Sequence, residues 1–393
     1  MRLADTRPPF AGLANLSEAA LAALPTPCYL LDEARLRRNG EILLGVQQRT
    51  GCKILLAQKA FSMYRCYPLI RQYLAGSTAS GLYEARLGRE EFGGEVHVFK
   101  PAYTEEEFEA LLAVADHFVF NSPRQVEKYA ARARAAGKQV GLRVNPEHST
   151  QEGHAIYDPC APGSRLGTTL ANFDPAQLPL LDGLHMHTLC EQDSDDLEST
   201  VQALEEKFGP HLHGLKWLNL GGGHHITRPG YDVERLVKLV RRLRETYGVE
   251  VYLEPGEAVV LNAGFLVSQV LEVVHNGMDI AILDASAACH MPDVLEMPYR
   301  PPVRGSGQPG EKAHTYRLAG PTCLAGDVIG DYSFDEPLEE GSRIVLEDMA
   351  LYTMVKTNTF NGMPLPDLCL RHEDGTLELV RRFGYEDFKG RLS

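Results

Sequence analysis

"KWLNLGGGHHITRPGYDVERLVKLVRRLRETYGVEVYLEPGE", residues 216–257, reads as strand, helix, strand. "KWLNL" and "VEVYL" are short apolar runs of the kind that fills a sheet closed on both faces. Between them, "DVERLVKLVRRLRETYG" starts at the helix-capping Asp232 and stops at Gly248, with apolar residues at three- and four-residue spacing. A helix of that pattern packs one face onto a sheet. The same alternation runs upstream through "KILLAQKA" (53–60), "GSTAS" (76–80), "EVHVFKPA" (95–102), "HFVFNSP" (117–123), "QVGLRVNP" (139–146) and "LLDGLHMHTL" (180–189). Helical segments such as "TEEEFEALLAVA" and "SPRQVEKYAARARAAG" lie between these runs.

Strands alternating with helices in this way predict a (β/α)8 TIM barrel, whose usual size is roughly 250 residues. A doubly wound open sheet has the same alternation, because sequence does not show closure. After about residue 270 the texture changes to β-type runs divided by Gly, Pro and Asp: "FLVSQVLEVV", "MDIAILDAS", "HTYRLAG", "SRIVLEDMALYTMV" and "LELVRRF". These predict a C-terminal antiparallel β domain, which the strand-like "PTPCYLLD" (25–32) could join. The expected organisation is a barrel over 34–270 and a β domain made of 1–33 with 271–393. "RPPVRGSGQPGEKAH" (300–314), rich in turn residues, is expected to be a mobile surface loop.

The 39 Lys+Arg against 53 Asp+Glu give a formal net charge of -14, with no long basic run. Nucleic acid is therefore not an expected partner, and small cationic ligands are favoured, although the same charge also keeps a protein soluble. The eight cysteines are scattered without a C-x-x-C pair, which argues against structural zinc and for a reducing cytoplasm. No signal-like leader and no membrane-length apolar run is seen, so a cytoplasmic location without a membrane partner is expected.

In a barrel, chemistry collects at the C-terminal ends of strands. Lys59 ends the first run, His185 and His187 the sixth, Gly221, Gly222 and Gly223 the seventh, and Glu254, Gly256 and Glu257 the eighth. A lysine in apolar surroundings either snorkels to water or, with its pKa lowered, serves as a Schiff-base amine. Three glycines at a strand end let backbone amides approach a phosphate, though glycine-rich turns are common in any protein. Glu254, projecting from a buried strand, needs a partner, which a pyridinium nitrogen would supply. Two histidines two residues apart also suit a zinc-dependent hydrolase, but the rim lacks a further His and Asp set, and no metal is expected. His224 and His225 are left unassigned, at the surface or in supporting roles.

The motifs "LLAQKAF", "GLHMHTLCE", "LNLGGG", "LEPGEA", "GPTCLAGD" and "TFNG" extend over nearly the whole chain. With them the sequence resembles the fold-type III, alanine-racemase-like enzymes that use pyridoxal 5'-phosphate. Within that group it looks like the carboxynorspermidine/carboxyspermidine decarboxylase family. The resemblance implies that Lys59 bonds covalently to the cofactor, His187 stacks on its ring and Glu254 binds the ring nitrogen. It also implies that Gly221, Gly222, Gly223, Gly256 and Tyr352 surround the phosphate, and that Arg143 lies behind the cofactor. Cys323 resembles the cysteine that a second subunit of a homodimer brings to the site, where it returns a proton to the substrate α-carbon. Asp327 shares the Cys323 loop, and Asp284 is a further acidic candidate; neither has an assigned role.

Related diaminopimelate and ornithine decarboxylases carry Arg after "EPG", where this chain has Glu257. An anion there would repel a diacid and attract a polyamine ammonium. Asp293 would be a second anion along the groove, each contact contributing roughly 1.5–3 kcal/mol. The implied reaction is decarboxylation of carboxynorspermidine or carboxyspermidine to norspermidine or spermidine. Decarboxylation of diaminopimelate, ornithine or arginine is the alternative within the group. A racemase, a metal-dependent hydrolase and a non-catalytic cofactor carrier are the more distant ones.

Overall fold

Residues 16–151 and 155–393 are described by the computed structural model, and they divide into two units, 36–259 and 16–35 with 260–393. Strand β1 (Cys28–Asp32) belongs to the second unit. Eight strands of the first unit follow in order: β2 (Lys53–Ala57), β3 (Gly76–Ala79), β4 (Glu95–Phe99), β5 (His117–Phe120), β6 (Gln139–Arg143), β7 (Gly183–His185), β8 (Trp217–Asn219) and β9 (Glu250–Leu253). Each pairs in parallel with the next, and β9 returns to β2 through Lys53↔Tyr252 and Ile54↔Leu253, so the barrel is closed.

Local sequence explains the helices around it. Ser122 accepts from the Gln125 amide and Pro123 occupies the first turn of helix Pro123–Ala135. Asp232 caps Val233–Tyr247 in the same way, and Gly248 ends it at φ +69° in the left-handed region. Strict alternation fails between β6 and β7. There the segment 158–180, broken by Pro159, Pro162, Gly163, Gly167, Pro175 and Pro179, forms short 3-10 turns and no α-helix among the described residues.

Leu55, Val119, Trp217 and Tyr252, from β2, β5, β8 and β9, form a buried cluster. The indole has room because β6 and β7 carry glycine beside it: a Cβ on Gly141 or Gly183 would stand 2.2 or 2.1 Å from a ring carbon. Its Nε1 donates to Gln139 Oε1 at 2.9 Å. Removing a ring buried in this way costs roughly 3–5 kcal/mol.

The second unit holds β10 (Gly264–His275), β11 (Asp279–Leu283), β12 (His314–Ala319), β13 (Val328–Phe334), β14 (Arg343–Glu347), β15 (Asp367–Arg371) and β16 (Leu377–Arg381). The strand order is β13-β12-β11-β10-β1-β15-β16, with β14 also on β10. β1 therefore lies inside the sheet, antiparallel to β10 and parallel to β15. β11 and β12 are also parallel, so the sheet is mainly antiparallel rather than wholly so.

Two expectations need correction. The expected boundary at 270 would cut through β10. The division falls between Val259 and Val260, because the first half of β10 is already bonded to β1 and β14. The 300–314 loop is tied down rather than loose. Val303 bridges Leu346, Gly307 bridges Ser333, and Lys312 Nζ reaches Asp335 at 2.6 Å. Its glycines and prolines provide curvature, and these bonds anchor it to the sheet.

Candidate active site

The chain turns sharply after β2. The Ala57 amide donates to Pro255 O at 3.1 Å, and the Ala60 amide donates back to Ala57 O at 3.1 Å. Buried Gln58 donates to Glu84 O at 2.8 Å and accepts from the Tyr67 hydroxyl at 3.1 Å. Lys59 stands on this fixed turn. Its side chain is exposed to water, with Arg143, Glu254, Cys190 and Glu257 near enough to act on its charge. Loss of hydration is the first cause of its lowered pKa, and the Arg143 charge is the second; Glu254 and Glu257 pull the other way.

Glu254 follows β9 directly and is 9% exposed. Its Oε1 accepts from Asn219 Nδ2 at 2.9 Å and its Oε2 from His185 Nε2 at 3.1 Å. Burial works against its charge, but His185, His97 and Asn219 outweigh burial and hold the carboxyl down at about 2. Because an ionised carboxylate only accepts, His185 carries its proton on Nε2. Burial also lowers the His185 pKa, so the ring is neutral near pH 7.

Asn219 joins this carboxylate to the glycine turn, since its Oδ1 accepts from the Gly221 amide at 2.8 Å. The Gly222 amide donates to His187 Nδ1 at 3.0 Å. Two of the three glycine amides are thus used within the turn. Close backbone approach gives the glycines a second reason: a Cβ on Gly222 would stand 2.0 Å from Glu254 O. At Gly223, φ is +88° and the Leu189 carbonyl would be 1.8 Å away. Gly256 packs against Ala60, which a Cβ would meet at 2.5 Å.

Arg143 ends β6, buried, with its guanidinium 4.5 Å from the Phe99 ring centroid and donating to His187 O at 2.8 Å. Burial draws its pKa down to about 10 against the pull of Glu254, which leaves it charged at neutral pH. The His187 imidazole is held neutral by burial first and by Lys59 and Arg143 beyond that. Lys59, Arg143, His187, Gly221, Gly222, Gly223, Glu254, Gly256 and Glu257 follow or end parallel strands at one end of the barrel unit; Arg143 is named by the resemblance, the others also by their strand-end positions.

His185 and His187 are both engaged, with Glu254 and with Gly222. Among the described residues, metal-ligand spacing occurs instead at Glu95, His97 and His117. There the two imidazoles stack at 3.8 Å and 18°, so their in-plane lone pairs run side by side rather than converging on one ion. Lys53 already pairs with Glu95.

His224 and His225 are buried, not at the surface. His224 Nδ1 is 2.6 Å from the Tyr231 hydroxyl, and His225 Nε2 bonds to Glu257 Oε2. The His225 link and Asn219 were missed from sequence. A histidine or asparagine outside any periodic pattern carries no signal for a partner that is tens of residues away.

Tyr352, Asp293, Cys323, Asp327 and Asp284 belong to the second unit. Tyr352 is half-buried at φ +47°, a conformation an aromatic residue adopts only under constraint. Asp293 is not a free anion: Lys356 Nζ bonds to it and, at 2.6 Å, to Glu296. Cys323 is exposed, with Leu324 44% and Phe360 50% exposed beside it in the same two loops, and its amide donates to Asn361 Oδ1 at 2.7 Å. Asp327 is 2% exposed and holds that turn by accepting from the Thr322 hydroxyl at 2.7 Å and from Ser286 Oγ at 3.0 and 2.9 Å. Asp284 accepts from Ser268 Oγ at 2.6 Å, inside the sheet.

Residues 28–350 match the family described as pyridoxal-dependent decarboxylase, C-terminal sheet domain. A carboxyaminopropylagmatine decarboxylase of Synechocystis sp. is 43% identical, over 96% of this chain and 98% of its own. A carboxynorspermidine/carboxyspermidine decarboxylase of Campylobacter jejuni is 41% identical, over 93% and 98%. The crystal structure of carboxynorspermidine decarboxylase from Campylobacter jejuni, complexed with norspermidine, superposes at a TM-score of 0.88, with 94% of this chain and 100% of that one covered at 41% identity.

Proposed function

The chain belongs to the pyridoxal-dependent decarboxylases, and we propose that within this family it removes the carboxylate of carboxynorspermidine and carboxyspermidine, releasing norspermidine and spermidine for polyamine biosynthesis. The observation that carries the substrate reading is the side chain of Glu257. A carboxylate opens the short helix Glu257–Val260 directly after the Glu254 turn, where it favours a cationic tail over an acidic one. The resemblance to enzymes with Arg at this point makes it the position where polyamine and diacid substrates part.

The cofactor of this family is pyridoxal 5'-phosphate, and the residues of the barrel unit fit it. They offer an amine of lowered pKa, a carboxylate held ionised and a neutral imidazole. When bound, the cofactor supplies a sink for the electrons of the breaking bond. Lys59 would hold its aldehyde carbon covalently. Glu254 would keep a proton on the ring nitrogen, with His185 and Asn219 fixing the carboxylate for that task. His187, neutral and held at Nδ1, would lie flat against the ring, and Arg143 would stand behind it. Gly223 and Gly256 would line the phosphate, a role that the resemblance also gives to Tyr352. The amides of Gly221 and Gly222 are already engaged, so those two serve chiefly to shape the turn.

A homodimer is part of the proposal, with Cys323 of one copy returning a proton to the substrate α-carbon in the other copy's site. Its exposed thiol between exposed Leu324 and Phe360, on a turn pinned by Asp327, supports a docking role for this surface. Asp293 would meet the tail together with Lys356 and Glu296, as a network with its own cation. A cytoplasmic setting is supported by eight cysteines, none of them in a disulfide. No helix among the described residues is long and apolar enough to cross a membrane.

The similarity to the Synechocystis enzyme favours a second reading, in which the tail ends in the guanidinium of an agmatine unit. Carbon dioxide release from carboxynorspermidine, carboxyspermidine, carboxyaminopropylagmatine, diaminopimelate, ornithine and arginine separates the two. The proposal expects the first two to have the highest kcat/KM. A clear preference for the agmatine derivative would establish the second reading, and preference for a free amino acid would overturn both.

A further inference from the structure

The segment "HHIT" (224–227) follows the glycine turn, and two of its side chains hold the helix that begins at Glu257. His225 Nε2 bonds to Glu257 Oε2, and Thr227 Oγ1 donates to Ala258 O at 2.6 Å. His225 is itself anchored, its amide donating to Gln192 O at 3.0 Å. Both partners are enclosed, with side chains 8% and 11% exposed. His225 Nδ1 is buried without a partner in either tautomer.

We infer that His225 is a positioning residue for substrate specificity: it fixes the Glu257 carboxylate and, by keeping one proton or two within the pair, sets the charge offered to a cationic tail. The inference rests on the reading of Glu257 given above and deepens it. With one proton the pair carries -1 and attracts an ammonium group; with two it is neutral and the attraction falls to that of a dipole.

The surroundings decide where the change occurs. Burial opposes charge on His225, but Glu257 outweighs burial and Glu191 assists, so its pKa is raised; Arg228, itself paired with Asp193, works in the opposite direction. His224 beside it is kept neutral by burial, at about 3, and contributes no charge near neutrality. Lys59 also feels Glu257. A group with a raised folded pKa keeps its second proton below the ordinary histidine value and loses it as pH rises through the raised one. Affinity for a cationic tail therefore increases across that upper window.

The experiment is titration calorimetry of norspermidine into the holoenzyme at half-unit steps from pH 6 to 9, with wild type and His225→Gln. Glutamine keeps an N–H donor for Glu257 but cannot take the second proton. Wild type should tighten roughly tenfold across the window, the scale of one charge-assisted contact. His225→Gln should bind tightly from the start and lose the part of the slope that exceeds the ligand's own ionisation. In steady-state assays the difference should fall on KM rather than kcat. His225→Ala, which leaves Glu257 charged but unfixed, should lose the same part of the slope and bind more weakly than His225→Gln at every pH. Superimposable profiles for wild type and His225→Gln would overturn the inference. Absence of both norspermidine binding and carboxynorspermidine turnover in wild type would instead reject the substrate reading.

Discussion

Asn219→Asp tests the electrostatics of the site with almost no change of shape. In wild type, Asn219 donates to Glu254 at 2.9 Å. The variant keeps the acceptor for Gly221 but sets a second carboxylate at the same distance. Two full charges at that separation repel by about 6 kcal/mol at an effective dielectric of 20. The folded protein escapes by binding a proton between them. Relative to an unfolded chain whose carboxylates ionise near pH 4, that uptake costs about 4 kcal/mol at pH 7 and about 1 kcal/mol at pH 5. The smaller of the two penalties applies, so proton uptake sets the loss at both values. The pair's folded pKa is raised, hence the destabilisation is present at high pH and fades as pH falls toward the unfolded value. Wild-type Glu254, held at about 2, contributes stability that is lost only as pH falls below about 4, so it does not change over this range. Urea unfolding of the cofactor-free proteins at pH 5, 6 and 7, followed by circular dichroism, should show a gap that widens by about 3 kcal/mol. A gap of constant size, or none, would refute an ionised Glu254 bonded to Asn219.

Other outcomes follow from the same geometry. Gly222→Ala drives a methyl to within 2.0 Å of Glu254 O, and should cost about 1–3 kcal/mol of stability and weaken cofactor retention, read by denaturant midpoint and visible absorbance. Glu257→Arg should raise KM for carboxynorspermidine by one to two orders of magnitude, while the cofactor absorbance is retained. Mixed Lys59→Ala and Cys323→Ala chains should regain about a quarter of wild-type activity, since half the dimers are hybrids and each hybrid has one intact site. No recovery in that mixture would count against sites completed across a dimer.

What the sequence disclosed, and what it did not, divides along the range of the interactions. Helix Val233–Tyr247 could be read almost to the residue, because Asp232, the apolar spacing and Gly248 are local signals. Barrel closure could not, since the Lys53↔Tyr252 pairing joins residues some 200 positions apart. Lys59, Glu254 and the glycines were legible as residues out of character in buried strand ends. Their partners were not: Asn219 looked like an ordinary strand residue, His225 was one of an adjacent pair, and Lys356 lay in a polar run. Each is defined by a side-chain bond across the fold. The β10 boundary was misplaced for the same reason, because a continuous apolar run does not reveal which sheet receives it.

The central claim is that the amine of Lys59 holds the cofactor's aldehyde carbon, and borohydride reduction of the holoenzyme followed by peptide mapping tests it most directly. Reduction should fix one pyridoxyl group per chain, on the peptide containing "KILLAQKAF", with no label in Lys59→Ala. A label on another lysine, or none on any, would contradict the account.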